Sequence, residues 1–243
     1  MRTLNFAKRN FKEMVRDPLG IVFTILLPLF LLFIFQKFKI PSDSFKLENF
    51  TPGIIVFGFS FITLFTATLV ARDRTTSLLI RLGISPMKSV DYILGYILAI
   101  LPIIIVQNIL FFALAVIMGL KFSIYIILAS VVSWIVAILF IAIGILFGSV
   151  LTEKGASGIS SVVVQFVCFT SGMYFPIELV GKGYKLVCEY LPFESCLAII
   201  KGILNNNLEM ISVRNIIVFA VYTILLFIIS IIVFNKKMLS DNK

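Results

Sequence analysis

A polytopic all-α membrane protein with six transmembrane helices is the fold class this sequence predicts, and three observations carry it. Of its 243 residues 60% are hydrophobic and only 14% charged, against about 45–50% and about 25% in an ordinary soluble domain. The mean hydropathy is +1.11. Apolar stretches long enough to cross a hydrocarbon core of about 30 Å at 1.5 Å per residue recur along the chain, separated by short polar segments.

Residues 1–18 come first. Leu4, Ala7, Phe11 and Met14 recur at helical spacing among Arg2, Lys8, Arg9, Lys12 and Arg16, the pattern of a basic amphipathic helix lying in the membrane interface. Pro18 closes it. A docking helix and a plain topogenic anchor both fit this stretch. A secretory signal peptide fits less well, because the next apolar run is long for an h-region and no small-residue cleavage site follows. Span 1 covers about 19–35, with a kink expected at Pro28. A short polar loop, Lys37 to Asn49, leads to span 2 at about 52–70.

The segment 71–91 is the longest polar interruption on the side read as cytoplasmic. Arg72, Asp73, Arg74, Arg81 and Lys88 share it with Leu78, Leu79 and Leu82. A turn in water needs no leucine face, whereas a short helix along the membrane offering leucines and arginines to a soluble partner does. Ser85-Pro86 reads as an N-cap and first helical residue. Span 3 follows at about 92–118, then a tight turn at Gly119-Leu120-Lys121. Span 4, about 123–151, contains Gly144 and Gly148 at GxxxG spacing, read as packing. After a short loop, Thr152 to Gly155, span 5 takes about 158–175. The stretch 176–212 is neither a clean span nor a clean loop. Span 6 covers about 213–234, and a basic tail follows.

Six spans put both termini on one side. Thirteen cations fall on that side and eight on the other, so the positive-inside bias places both termini in the cytoplasm, across the cell inner (plasma) membrane. Strong Ile, Lys and Asn usage suits a low-GC bacterium.

The chemistry that is missing narrows the function. Without histidine the chain lacks the commonest general base and metal ligand. Cys168, Cys188 and Cys196 form no CxxC pair; Cys168 reads as a small buried hydrophobe, and Cys188 and Cys196 read as free thiols, with pairing open to them if their loop faces an oxidising compartment. The net charge of +9 flanks membrane spans and builds no nucleic-acid groove, so no nucleic acid is expected. No span interior carries an ionisable residue of the kind coupled carriers place at mid-membrane. Gln107-Asn108, Gln165, Thr170-Ser171 and the set Thr63, Thr66, Thr68 are the polar residues there, and interhelical hydrogen bonding is favoured over substrate contact. There is no GxxxxGK[ST] phosphate loop, and an intramembrane enzyme fits worst.

Two stretches resemble a known family. The segment RDRTTSLLIRLGISPMKSVDYILGYIL resembles the inner loop of type-2 ATP-binding-cassette (ABC-2) exporter permeases, with Asp73-Arg74, Leu78-Leu79, Arg81-Leu82 and Ser85-Pro86 filling the family's places. The segment SGMYFPIELVGKGYKLVCEYLPFESCLAIIKGIL resembles the part after span 5, through Ser171-Gly172, Phe175-Pro176 and Leu191-Pro192. Thr75-Thr76-Ser77 departs from the family's usual Gly and Glu, and Leu179-Val180-Gly181 from its usual Leu-Pro. The resemblance implies a permease subunit without an ATPase site of its own. It would pair with a second permease copy, as homodimer or heterodimer, and bind two ATP-binding subunits that carry ATP and Mg. Residues 71–91 would be the coupling segment, Leu78, Leu79 and Leu82 its anchor, and Arg72, Arg74 and Arg81 its rim. Residues 176–212 would be an outer re-entrant segment. Cargo is expected to be lipophilic or amphiphilic: a drug, a peptide or a lipid-like molecule. The alternative is a secondary transporter or channel that works without ATP.

Overall fold

The computed structural model describes residues 2–38, 40–76, 88–174, 177 and 180–240. Among them the chain is helical throughout: α1 Arg2–Val15, α2 Pro18–Lys37, α3 Leu47–Thr75, α4 Ser89–Ile117, α5 Ile124–Val150, α6 Glu153–Thr170, α7 Lys182–Tyr190, α8 Pro192–Leu204 and α9 Val213–Ser240. This is the all-α polytopic membrane architecture. Five helices, α2, α3, α4, α5 and α9, are long and apolar enough to cross a bilayer. The helix expected as span 5 forms as α6, which at 18 residues is shorter than the other five and, with Ser157, Ser160, Ser161 and Gln165 in it, more polar.

The helix α3 is the axis. Its most apolar stretch is 89% buried within the chain, against 6% for α9. Small residues make this possible. A Cβ on Gly144 of α5 would stand 2.6 Å from Thr66 Cβ, and one on Gly148 would stand 2.6 Å from the carbonyl oxygen of Ala67. On the α6 side Ala67 and Ala71 meet Ala156. With nothing between the backbones, α3 is packed closely on both flanks. Thr63 Oγ1 adds a hydrogen bond to the carbonyl of Phe140 at 2.9 Å.

Pro28 disturbs the hydrogen bonding of α2. Having no N–H, it leaves the carbonyl four residues back, that of Thr24, without its helical partner. The chain answers with a π-turn over Val22–Leu26 and with Gln107 of α4, whose Nε2 donates to Thr24 O at 3.0 Å. Gly58 makes room for this amide, since a Cβ there would stand 2.2 Å from Gln107 Nε2. We expect Gln107→Leu to cost about 1–3 kcal/mol, the penalty for stranding a buried acceptor. Unfolding in micelles would measure it, and an unchanged midpoint would contradict this role. The interhelical reading also holds at Asn108, whose Oδ1 accepts from Ser133 Oγ at 2.9 Å. Thr66, Thr68 and Thr170 instead bond carbonyls of their own helices, and Gln165 is exposed on α6.

The turns explain themselves locally. Asp17 caps α2 by accepting from Gly20 N at 3.1 Å. At the end of α4, Gly119 takes φ +119°, while Gly119 N donates to Val116 O and Leu120 N to Ala115 O, the paired bonds of a Schellman cap that favours glycine. The stretch expected as neither span nor loop folds into α7 and α8, with Pro192 opening α8. Arg214 at the start of α9 binds Glu189 of α7 at 2.7 Å and Glu194 of α8 at 3.6 Å. Cys188 and Cys196 are buried free thiols; burial pushes both thiols above their ordinary range.

The first helix and the end of the last one meet at one end of the bundle. There α1 packs beside the last turn of α3, and Ser89 at the start of α4 donates to Asn235 near the end of α9 at 2.7 Å.

Candidate functional site

Four helices converge where α3 ends, and charge holds them. The sequence reading begins its polar segment at residue 71, but α3 runs on to Thr75. Arg72, Asp73 and Arg74 therefore stand on its final turns, where each finds a partner inside the chain. The carboxylate of Asp73 is fully buried. Its Oδ1 accepts from Arg9 Nη1 at 2.6 Å, and its Oδ2 accepts from the Tyr96 hydroxyl at 3.0 Å. Arg9 also donates to Glu13, four residues on, at 2.6 Å, and Glu13 in turn receives Arg72 at 2.9 Å. The result is an alternating row, Asp73–Arg9–Glu13–Arg72, with no net charge. A carboxylate away from water is tolerated only when so paired and hydrogen-bonded.

Arg74 turns the other way. Its guanidinium donates to the carbonyls of Ser149 and Leu151, the open acceptors at the end of α5, where a cation also suits the helix dipole. One turn of α3 thus fastens α1 on one side and α5 on the other. Asp73, expected among the residues of the coupling interface, is buried inside the chain instead. Arg72 and Arg74 are likewise engaged within the chain.

Beneath the ions lies an aromatic cluster. Phe6 of α1 sits edge-on to Tyr92 and Tyr96, with ring centroids 5.4 and 5.1 Å away. A Cβ on Gly95 would stand 2.5 Å from Phe6 Cδ1, so this glycine admits the ring. Phe234 of α9 closes on both tyrosines at 6.2 and 6.4 Å. Of the expected docking residues on α1, Ala7 and Met14 are buried, Phe11 is half-buried, and Leu4 is exposed. Met14 also borders a cavity of about 720 Å³, walled by Phe65, Leu69 and Arg72 of α3 and by Glu153 and Lys154 of α6.

The remaining coupling residues, Leu78, Leu79, Arg81, Leu82, Ser85 and Pro86, lie outside the described residues, as do Phe175 and Pro176; α4 itself begins at Ser89, with extended Lys88 at its N-cap, and not at the expected Ser85-Pro86. Gly172 takes a left-handed φ of +80°, and Leu191-Pro192 forms the joint between α7 and α8. Sequence reasoning takes Arg9 only as one cation of α1 and passes over Glu13, Tyr96 and Phe234. The four-residue spacings Arg9/Glu13 and Tyr92/Tyr96 are the local signals available for Arg9, Glu13 and Tyr96, and none marks Phe234.

The described residues contain no cluster able to hold a metal ion. The arrangement ties helices to one another. Four helix ends are clamped together, and the clamp sits on the buried axis directly before residues 77–87. A sequence model of the family described as ABC-2 type transporter matches residues 3–205, a span that takes in the clamp and α1 to α8. No curated protein matches the chain.

Proposed function

This chain belongs to the ABC-2 type transporter family, and from that premise we propose that it is the membrane-spanning permease subunit of an ATP-driven exporter. It moves a lipophilic or amphiphilic cargo, a drug, peptide or lipid-like molecule, out of the cell. Two separate ATP-binding-cassette subunits bind and hydrolyse ATP with Mg, and a second permease copy completes the pathway. The sequence contains no phosphate-binding loop of its own, in keeping with that division of labour.

The observation that carries this reading is the position of the clamp. In our account the segment 71–91 carries the coupling helix, seated through Leu78, Leu79 and Leu82 in the ATPase, with Arg81 at its edge, and it leads into α4 at Ser89. Closure of the ATPase pair pulls on this helix. Because the last turn of α3 is locked to α1 by Arg9–Asp73 and to α5 by Arg74, the pull is delivered to the bundle's axis rather than lost in a hinge. Six spans, with α6 as the fifth, place both termini in the cytoplasm of the inner membrane, where the excess of cations lies. The helices α7 and α8, with Gly172, Phe175-Pro176 and Leu191-Pro192 at their joints, form the outer re-entrant cap. Irregular backbone at that depth needs protein or water around it, and the second copy supplies the protein.

Co-purification tests the coupling. The wild-type chain, co-expressed with its ATP-binding subunit, should hold that subunit through detergent extraction, and Leu78→Asp/Leu82→Asp should release it. Retention by the double variant would count against this contact.

A further inference from the structure

We propose that α1 carries a binding surface for anionic phospholipid headgroups, formed by Lys8, Lys12 and Arg16. The helix is divided into rows that do different work. Phe6, Asn10 and Met14, spaced by four, are buried against the bundle together with Ala7. Arg9 and Glu13 belong to the clamp. That leaves two exposed rows. Lys8, Lys12 and Arg16, again spaced by four, have no acidic partner among the described residues, and they border a recess of about 510 Å³ with Asn5, Arg9 and Glu13. Arg9 and Glu13 neutralise each other there, so three uncompensated positive charges face one opening.

The second exposed row is apolar: Leu4 at 62% and Val15 at 49% exposure, with half-buried Phe11 between them. It flanks the cations on the side away from Arg9. Directly after α1 the chain enters α2 through Leu19, Val22, Phe23 and Leu26, all exposed large apolar side chains. That entry holds α1 at the bilayer surface. An apolar row in the acyl boundary beside a cationic row at headgroup depth is the arrangement that binds anionic leaflets, each cation near the surface contributing about fivefold in affinity. An acidic protein face would match the cations but leave Leu4 and Val15 without cover, so lipid is the occupant the surface fits. The surface needs only the interfacial position of α1, not the ATPase contact, and either can fail without the other.

The test uses the full chain in an uncharged detergent, titrated separately with dioctanoyl phosphatidylglycerol, dioctanoyl phosphatidylcholine and inorganic phosphate, with the thermal midpoint as readout. Phosphatidylglycerol should raise the midpoint saturably, and the other two should not. The half-saturating concentration should rise about fivefold for Lys12→Gln and on the order of 100-fold for Lys8→Gln/Lys12→Gln/Arg16→Gln. The control Lys121→Gln/Lys182→Gln, at the opposite end, should leave it unchanged. Glutamine retains helix propensity and these side chains are exposed, so the variants should fold; the single variant serves if the triple one does not. Equal response to phosphatidylcholine or to free phosphate, or an unshifted titration in the variants, would overturn the proposal. So would loss of the ATP-binding subunit from the triple variant with its lipid response intact, because the row would then serve a protein.

Discussion

Arg9→Leu is expected to destabilise the protein by about 3 kcal/mol and to sharply reduce ATP-driven transport. Removing one member of a buried ion pair costs about 3–5 kcal/mol, because the other is left without compensation. Here the stranded group is Asp73, fully buried, with only the Tyr96 hydroxyl remaining to it. The lower end of the range applies because the Arg9 side chain is itself 39% exposed. Asp73→Asn should cost less, since the amide keeps the shape and can still accept from Tyr96. The double variant Arg9→Leu/Asp73→Asn should recover part of the loss, as removal of both charges leaves none stranded. Unfolding of the four proteins in micelles gives the cycle. Strict additivity would mean that the two residues do not act as a pair.

The second large effect is expected at Gly148. In Gly148→Leu the new side chain would begin 2.6 Å from the Ala67 carbonyl oxygen and 2.7 Å from Val70 Cβ. The obstacle is backbone, which cannot rotate aside, so α5 must move off α3. Overpacking costs about 1–3 kcal/mol and occasionally more, and this site belongs at the top of that range. Gly158→Ala is the contrast: nothing lies within 4 Å of its built Cβ, and alanine's helix propensity should add up to about 1 kcal/mol of stability. Equal midpoints for the two variants would contradict the packing account.

The sequence made the apolar helices legible because bilayer crossing depends on length and hydropathy, both of which are local properties. The amphipathic helix α1 was legible for the same reason, and so was the disturbance at Pro28. The end of α3 was not. Arg72, Asp73 and Arg74 look like the start of a loop, because three charges in a row ordinarily mark the edge of a span. They remain helical since their partners come from elsewhere: Arg9 and Glu13 on α1, Tyr96 on α4, and the open carbonyls of Ser149 and Leu151. Arg9 and Asp73 are 64 residues apart, and no local periodicity announces such a pair. The Gly144/Gly148 spacing was visible, but only the structure gives the helix it faces. Gln107 was visible as a polar residue in an apolar run; its partner, a carbonyl freed by a proline on another helix, could not be read from either stretch alone.

The central claim is that force enters through the coupling segment 71–91 from a motor on another polypeptide. The direct measurement is transport by the chain reconstituted with its ATP-binding subunit in liposomes, with and without ATP, for the wild type and for Leu78→Asp/Leu82→Asp. The account expects ATP-dependent transport in the wild type and none above background in the variant, with neither moving cargo on an ion gradient alone. Full ATP-driven transport by the variant, or gradient-driven transport by the chain without its partner, would contradict it.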